Sequence, residues 1–197
     1  MEPALSDILA SAWTLLVQGG ADRRSPLHTL VVTSTAYDGT PDARIMVLRK
    51  ADPVSTTLRF HTDARSPKCE QLHGRPIAVL GYHPAKAVQM RLHGLAAIDR
   101  DSPDADAAWS GSSAFARRCY MALQPPGTQL PTAGSGLPPE IDGRKPDESQ
   151  LQPARANFAL LVADITSIDW LHLAHTGHRR ACFRRANGAW HGAWCAP

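Results

Sequence analysis

Two arginines frame an apolar run. In PDARIMVLRKAD, residues 41–52, Arg44 and Arg49 stand on either side of Ile45, Met46, Val47 and Leu48. A guanidinium in or beside a sheet interior is costly unless an anion or a hydrogen-bond acceptor meets it. On a regular strand, residues five apart face opposite sides and lie roughly 17 Å from each other. One phosphate therefore cannot meet both. The pair suits two parts of one elongated ligand, two unrelated carboxylates, or an ordinary strand ending in surface arginines.

A second anion candidate lies in FHTDARSPK, residues 60–68. Ser66 before Pro67 reads as a helix N-cap with proline at the first helical position. Free backbone N–H groups and Lys68 would make an anion site there, unless the helix is an ordinary capped one with solvated charges. His172, His175, His178 and Cys182 are zinc-ligand types. Strand alternation turns His175 away from His172 and His178, and no metal is expected. On spacing alone, Gln89 reads as a polar residue on a solvated strand face and Trp170 as core.

Several short elements must position these groups. LSDILASAWTLLVQ carries the apolar stripe of an amphipathic helix over residues 5–18, ended by GGADRRSP. Strands are predicted at about 28–36 and 43–49, joined by the DGTPD turn, and a third at TTLRFHTD. A helix over SPKCEQLHGRP stops at Gly74, and IAVLGYH and KAVQMRLHGLAAID give two more strands around Pro84. Residues 102–122 read as a helix broken near Gly111, and 124–154 as a long Pro/Gly-rich loop of the kind that forms lids or binding segments. The closing strands follow, with ANG as a hairpin turn. The pattern predicts one domain over 1–197, mainly β: an antiparallel barrel with a few flanking helices.

At 197 residues, 43% hydrophobic and 20% charged, the composition is that of an ordinary soluble domain. No apolar run approaches a membrane span, and the N-terminus lacks a basic stretch before its apolar positions, so a cytoplasmic protein with no membrane partner is expected. Four scattered cysteines without a CxxC pair read as free thiols. The arginine run GHRRACFRRANG suits nucleic acid, a small anionic ligand or plain surface. A net charge of +3 is too mild to argue for nucleic acid, which is not an expected partner.

The order and spacing of RIMVLRK, FHTDARSPK, VQMRLHG and DWLHLAHTGHRR resemble the FMN-binding split-barrel superfamily, in particular pyridoxamine 5'-phosphate oxidase and its diverged relatives. The resemblance covers roughly residues 25–100 and 158–197. It implies a Greek-key split barrel and FMN as cofactor, with Arg44 at the phosphate, Ile45 to Leu48 in the cofactor-binding strand, and Arg49 near the flavin ring and substrate. It further implies that His61 and Thr62 line the flavin, Ser66 and Lys68 bind phosphate, and Gln89 contacts the ring. Trp170 and Arg180 would come from the second chain of a homodimer, and His178 would face a small-molecule substrate. The chain departs from the oxidase at Arg49, where lysine is usual, and at Pro67, where a basic residue is common and Arg65 stands close enough to compensate. It departs again at Thr176, in place of a phosphate-binding arginine, and in the middle loop, where no glutamine–serine pair is visible. The implied function is an FMN-dependent oxidoreductase with an unidentified substrate. True pyridoxamine or pyridoxine 5'-phosphate oxidase, or a non-enzymatic flavin- or haem-binding protein, are the alternatives.

Overall fold

A computed structural model describes residues 3–197. Eight strands run β1 Thr29–Thr35, β2 Pro41–Asp52, β3 Thr57–Asp63, β4 Pro76–His83, β5 Val88–Asp99, β6 Phe158–His172, β7 Arg179–Ala186 and β8 Ala189–Cys195. They form one antiparallel sheet in the order β3-β2-β1-β4-β5-β6-β7-β8, and a further β3–β6 pairing closes the first six into a barrel. The order 3-2-1-4 is a Greek key. The expected mainly-β split barrel with flanking helices is the observed fold.

The split is made by β6. Its first half pairs with β3, from Asp63↔Phe158 to Thr57↔Asp164, and its second half pairs with β7, from Ser167↔Arg184 to His172↔Arg179. The changeover coincides with a bulge in the β5–β6 ladder at His93/Gly94. A Cβ on Gly94 would stand 1.9 Å from the Asp164 carbonyl oxygen, so only glycine lets the two backbones approach this closely.

Helix α1, Leu5–Ala21, lays Ile8, Ala12, Leu15 and Leu16 into the barrel core. The sequence predicts its end at residue 18, before the two glycines, yet the helix continues through them. A Cβ on Gly19 would lie 2.6 Å from Leu27 O, and His28 Nδ1 bonds to Gly19 O at 2.8 Å. The glycines serve tight docking against the next turn, which outweighs their low helix propensity.

Residues 102–122 are broken as expected, into α3 Pro103–Ser110, α4 Ala114–Arg117 and a 3₁₀ turn Arg118–Met121. The predicted loop over 124–154 is only partly loop. It ends in α5, Glu148–Leu151, which opens on a capping box between Asp147 and Gln150, and a 3₁₀ segment follows over Gln152–Asn157. These pieces cover a second core of Trp109, Tyr120, Leu151, Phe158 and Leu160 on the flank of the barrel.

Candidate functional site

The largest group of predicted site residues converges on one open cavity of about 540 Å³. Arg44, Ile45, Met46, Val47 and Arg49 of β2, His61 and Thr62 of β3, and Lys68 line it. Leu48 does not, because it points into the barrel and is fully buried.

Arg44 and Arg49 were expected on opposite faces, but both border this cavity. Arg49 sits in a β-bulge: Leu48 pairs with Phe60 and Lys50 with Arg59, leaving Arg49 the extra residue. The burial phase confirms the step, since Met46 and Leu48 face inward before it and Ala51 after it. The bulge re-aims Arg49. Arg44 is half-buried and turns its guanidinium to Ser34 Oγ at 2.8 Å, Val32 O at 3.3 Å and the Asp42 carboxylate.

Ser66 holds the N-cap position of α2, Pro67–Leu72, but its hydroxyl caps no backbone N–H as the sequence suggested. It accepts instead from Lys68 Nζ at 2.9 Å. Burial, helped by the charge of Arg44, lowers the Lys68 pKa from its ordinary value. Among the described residues no carboxylate lies within ion-pair distance of Lys68. This half-buried cation, whose one hydrogen-bond partner is a neutral hydroxyl, is what an anion would complete. Arg65 does not substitute for a basic residue at 67. It is bound to Asp63 at 2.7 and 3.0 Å and donates to Ala122 O at 2.8 Å, which ties the 122–136 wall to the barrel.

That wall is what the sequence did not resolve. Tyr120, Gln124, Pro125, Pro126 and Leu130 close the side of the cavity opposite β2 and β3. The length and Pro/Gly content of the segment were the only signals pointing to it. Burial pushes the Tyr120 pKa up, so the phenol stays protonated.

His61 packs edge-on against Phe158, with ring centroids 4.9 Å apart. Burial, reinforced by the Arg49 charge, lowers its pKa to about 4, so the imidazole is neutral at physiological pH. Arg49 and His61 also line a second cavity of about 490 Å³, with Lys50 and Arg59 as further cations and Ser112 and Ser113 as hydroxyls. Arg59 is paired with Asp104 at 2.7 Å, while its Nε is buried without a partner among the described residues.

The remaining predicted residues lie elsewhere on the chain. Gln89, Leu171 and Arg180 form one cross-strand row over β5, β6 and β7. Arg180 binds Asp169 at 2.7 and 3.0 Å, and Asp169 is shared with Arg91. Burial works against the Asp169 carboxylate, but hydrogen bonds from both arginines hold its pKa below the usual value. Trp170 packs inward, 8% exposed, and stacks on His172 at 5.9 Å. His178 is exposed in the turn before β7. Within the arginine run, Arg180 and Arg185 are held in ion pairs, with Asp169 and Asp164 respectively.

A closed six-stranded antiparallel barrel extended through a shared long strand, with a cation-ended cavity on its outer wall, defines a split barrel. Residues 10–99 match the family described as pyridoxamine 5'-phosphate oxidase, FMN-binding domain. The chain is 26% identical over 196 residues to pyridoxine/pyridoxamine 5'-phosphate oxidase 2 of Arabidopsis thaliana, covering 92% of this chain and 93% of that one. Its fold is similar to a pyridoxamine 5'-phosphate oxidase-related, FMN-binding protein of Nostoc punctiforme PCC 73102, with a TM-score of 0.73, 23% identity and 100% of each chain covered. It is also similar to PhzG from Burkholderia lata 383, in complex with tetrahydrophenazine-1-carboxylic acid, with a TM-score of 0.67, 17% identity, and 98% of this chain and 90% of that one covered. The chain is thus similar in fold and, over residues 10–99, in sequence to members of the pyridoxamine 5'-phosphate oxidase family, at low identity.

Proposed function

We propose that the chain binds FMN in the first cavity and acts as an FMN-dependent oxidoreductase on a small organic substrate. The observation that carries this reading is Lys68, half-buried beside Arg44 and without a counter-ion among the described residues, which suits a phosphate. Ser66 would orient the lysine, and Thr62 would line the same end. Met46, Val47 and His61 supply the flank against which a flat ring can lie, and Arg49 stands at the far end. A bound flavin supplies hydride transfer. A cation at its edge would favour the charge that grows on reduction, the role we give Arg49.

The second cavity, reached past Arg49 and His61, is the compartment we assign to the substrate. Its small side chains Ala107, Gly111 and Ala116 leave room, and its cations favour an acid. Arg49 in place of lysine, and Thr176 in place of an arginine, argue against pyridoxamine 5'-phosphate itself. Turnover of that compound at an ordinary enzymatic rate would select the oxidase reading that the Arabidopsis relative suggests.

We further propose a homodimer. Ile45 lines the first cavity and is 72% exposed, and the register continues from it through Val31 to Leu80, 37% exposed. An apolar row of this kind on an open sheet face suits a second copy. Pairing there would let Gln89 and Arg180, and the exposed edge of Trp170, approach the partner's cofactor, with His178 on the substrate side. The test is the absorption spectrum of freshly purified protein, followed by titration with FMN and riboflavin. A flavin spectrum and a preference for FMN are expected. Equal affinity for the two would remove the phosphate from this reading.

A further inference from the structure

A third cavity, of about 580 Å³, lies under the flanking helices and has no part in the reading above. Its base is apolar, formed by Trp109 of α3 and Leu151 of α5, both buried. Two arginines enter its wall. Arg117 is 7% exposed, a rare degree of burial for a guanidinium, and lies 5.4 Å over the Trp109 ring. Arg155 is anchored by donating to Arg100 O at 2.7 Å.

The counter-ions of these arginines stand on the solvent side. Glu148 holds Arg117 through two bonds of 2.6 and 2.9 Å, yet its side chain is 74% exposed. Asp106 holds Arg155 at 2.7 and 3.0 Å and is 68% exposed. Arg117 Nε is buried with no hydrogen-bond partner among the described residues. A cation fixed in the wall beneath a carboxylate free to swing into water is an exchangeable ion pair. An incoming oxyanion replaces Glu148 without leaving Arg117 uncompensated, and the released carboxylate is re-hydrated at little cost. Ser110 and Gln152 bring a hydroxyl and a carboxamide to the same space.

We propose that this cavity is a separate binding site for a small organic acid, whose carboxylate or phosphate takes the place of Glu148 on Arg117 while its apolar body covers Trp109 and Leu151. The site is distinct from the first cavity. Trp109 packs on Tyr120 at 5.8 Å and on Phe158 at 5.5 Å, and this aromatic layer stands between the two.

The test is calorimetric titration of the full chain, saturated with FMN so that the first cavity's anion contacts are filled, using benzoate and inorganic phosphate as probes. Saturable binding of at least one probe is expected. Glu148→Gln removes the competing carboxylate from an exposed position and should tighten that probe by roughly tenfold, the equivalent of 1.4 kcal/mol. Arg117→Lys, which loses the planar fork, should weaken it by at least as much. Binding of neither probe to either the parent or Glu148→Gln overturns the proposal, as does an affinity that Glu148→Gln leaves unchanged. The Glu148 arm decides the matter even if Arg117→Lys fails to fold. Loss of FMN binding alone would instead tell against the flavin reading.

Discussion

Arg49 and His61 stand together as the partition between two cavities, each lining both. Arg49 reaches that position only because it is the extra residue of a bulge, and its charge adds to burial in keeping the His61 imidazole unprotonated. Replacing Arg49 with Met should therefore raise the His61 pKa by removing a like charge. Burial remains, so the value should stay below 6.5, the ordinary value for histidine. NMR titration of the ring protons reads this directly. An unchanged pKa would mean that the two groups do not share a wall.

The same shift has a consequence for stability. His61 has a folded pKa of about 4 and an unfolded value near 6.5, so the unfolded chain binds the proton more readily. The contribution is fully present above pH 6.5 and is lost as the pH falls from there towards 4, amounting to roughly 2–3 kcal/mol. Urea midpoints of the flavin-free protein at pH 7 and pH 4.5 should drop less for His61→Gln than for the parent. Equal drops would place His61 in water.

Most of the barrel was legible because half-buried strands alternate and turns carry Gly, Pro, Asp and Asn. The run Ile45 to Leu48, the helix break near Gly111 and the ANG hairpin are local signals with local causes. What failed had tertiary causes. The helix α1 crosses Gly19 and Gly20 because another backbone needs the space, the bulge at Arg49 is set by pairing with β3, and α5 hides its capping box in proline-rich surroundings. At the site, residues from adjacent strands could be grouped by chain order. Tyr120 and Gln124 could not, since they reach the cavity only through packing of the flanking helices and the Arg65 tether.

Gly94 tests the split itself. An alanine Cβ at this position would stand 1.9 Å from Asp164 O, so Gly94→Ala must push β5 and β6 apart where β6 changes partners. A loss of about 3 kcal/mol or more is expected, large for a single methyl group. Denaturant unfolding measures it. A near-neutral result would mean that the bulge opens freely and is no determinant of the fold.

A variant of Lys68 tests the proposed phosphate end of the cavity apart from the ring. Lys68→Met should weaken FMN by about 1.5–3 kcal/mol, the range for hydrogen bonds to charged groups, and leave riboflavin affinity unchanged. Arg44→Ala should cost folding stability as well, because its guanidinium also holds Ser34 and Val32 within the sheet. Parallel losses for FMN and riboflavin in Lys68→Met would move the phosphate away from this end of the cavity.

The proposed dimer is tested from its two sides. Leu80→Glu places a charge in the exposed row that runs from Ile45 through Val31, and should shift sedimentation towards the monomer while lowering FMN affinity in step. Arg180→Ala acts differently. Its partner Asp169 keeps Arg91, so no buried carboxylate is orphaned and the β6–β7 ladder is undisturbed. The fold and the self-association of the flavin-free protein should therefore survive, while FMN binds more weakly and ceases to strengthen the dimer. A monomer that binds FMN with the same affinity at every protein concentration would confine the site to one chain, and Arg180 would then be only the second arginine on Asp169.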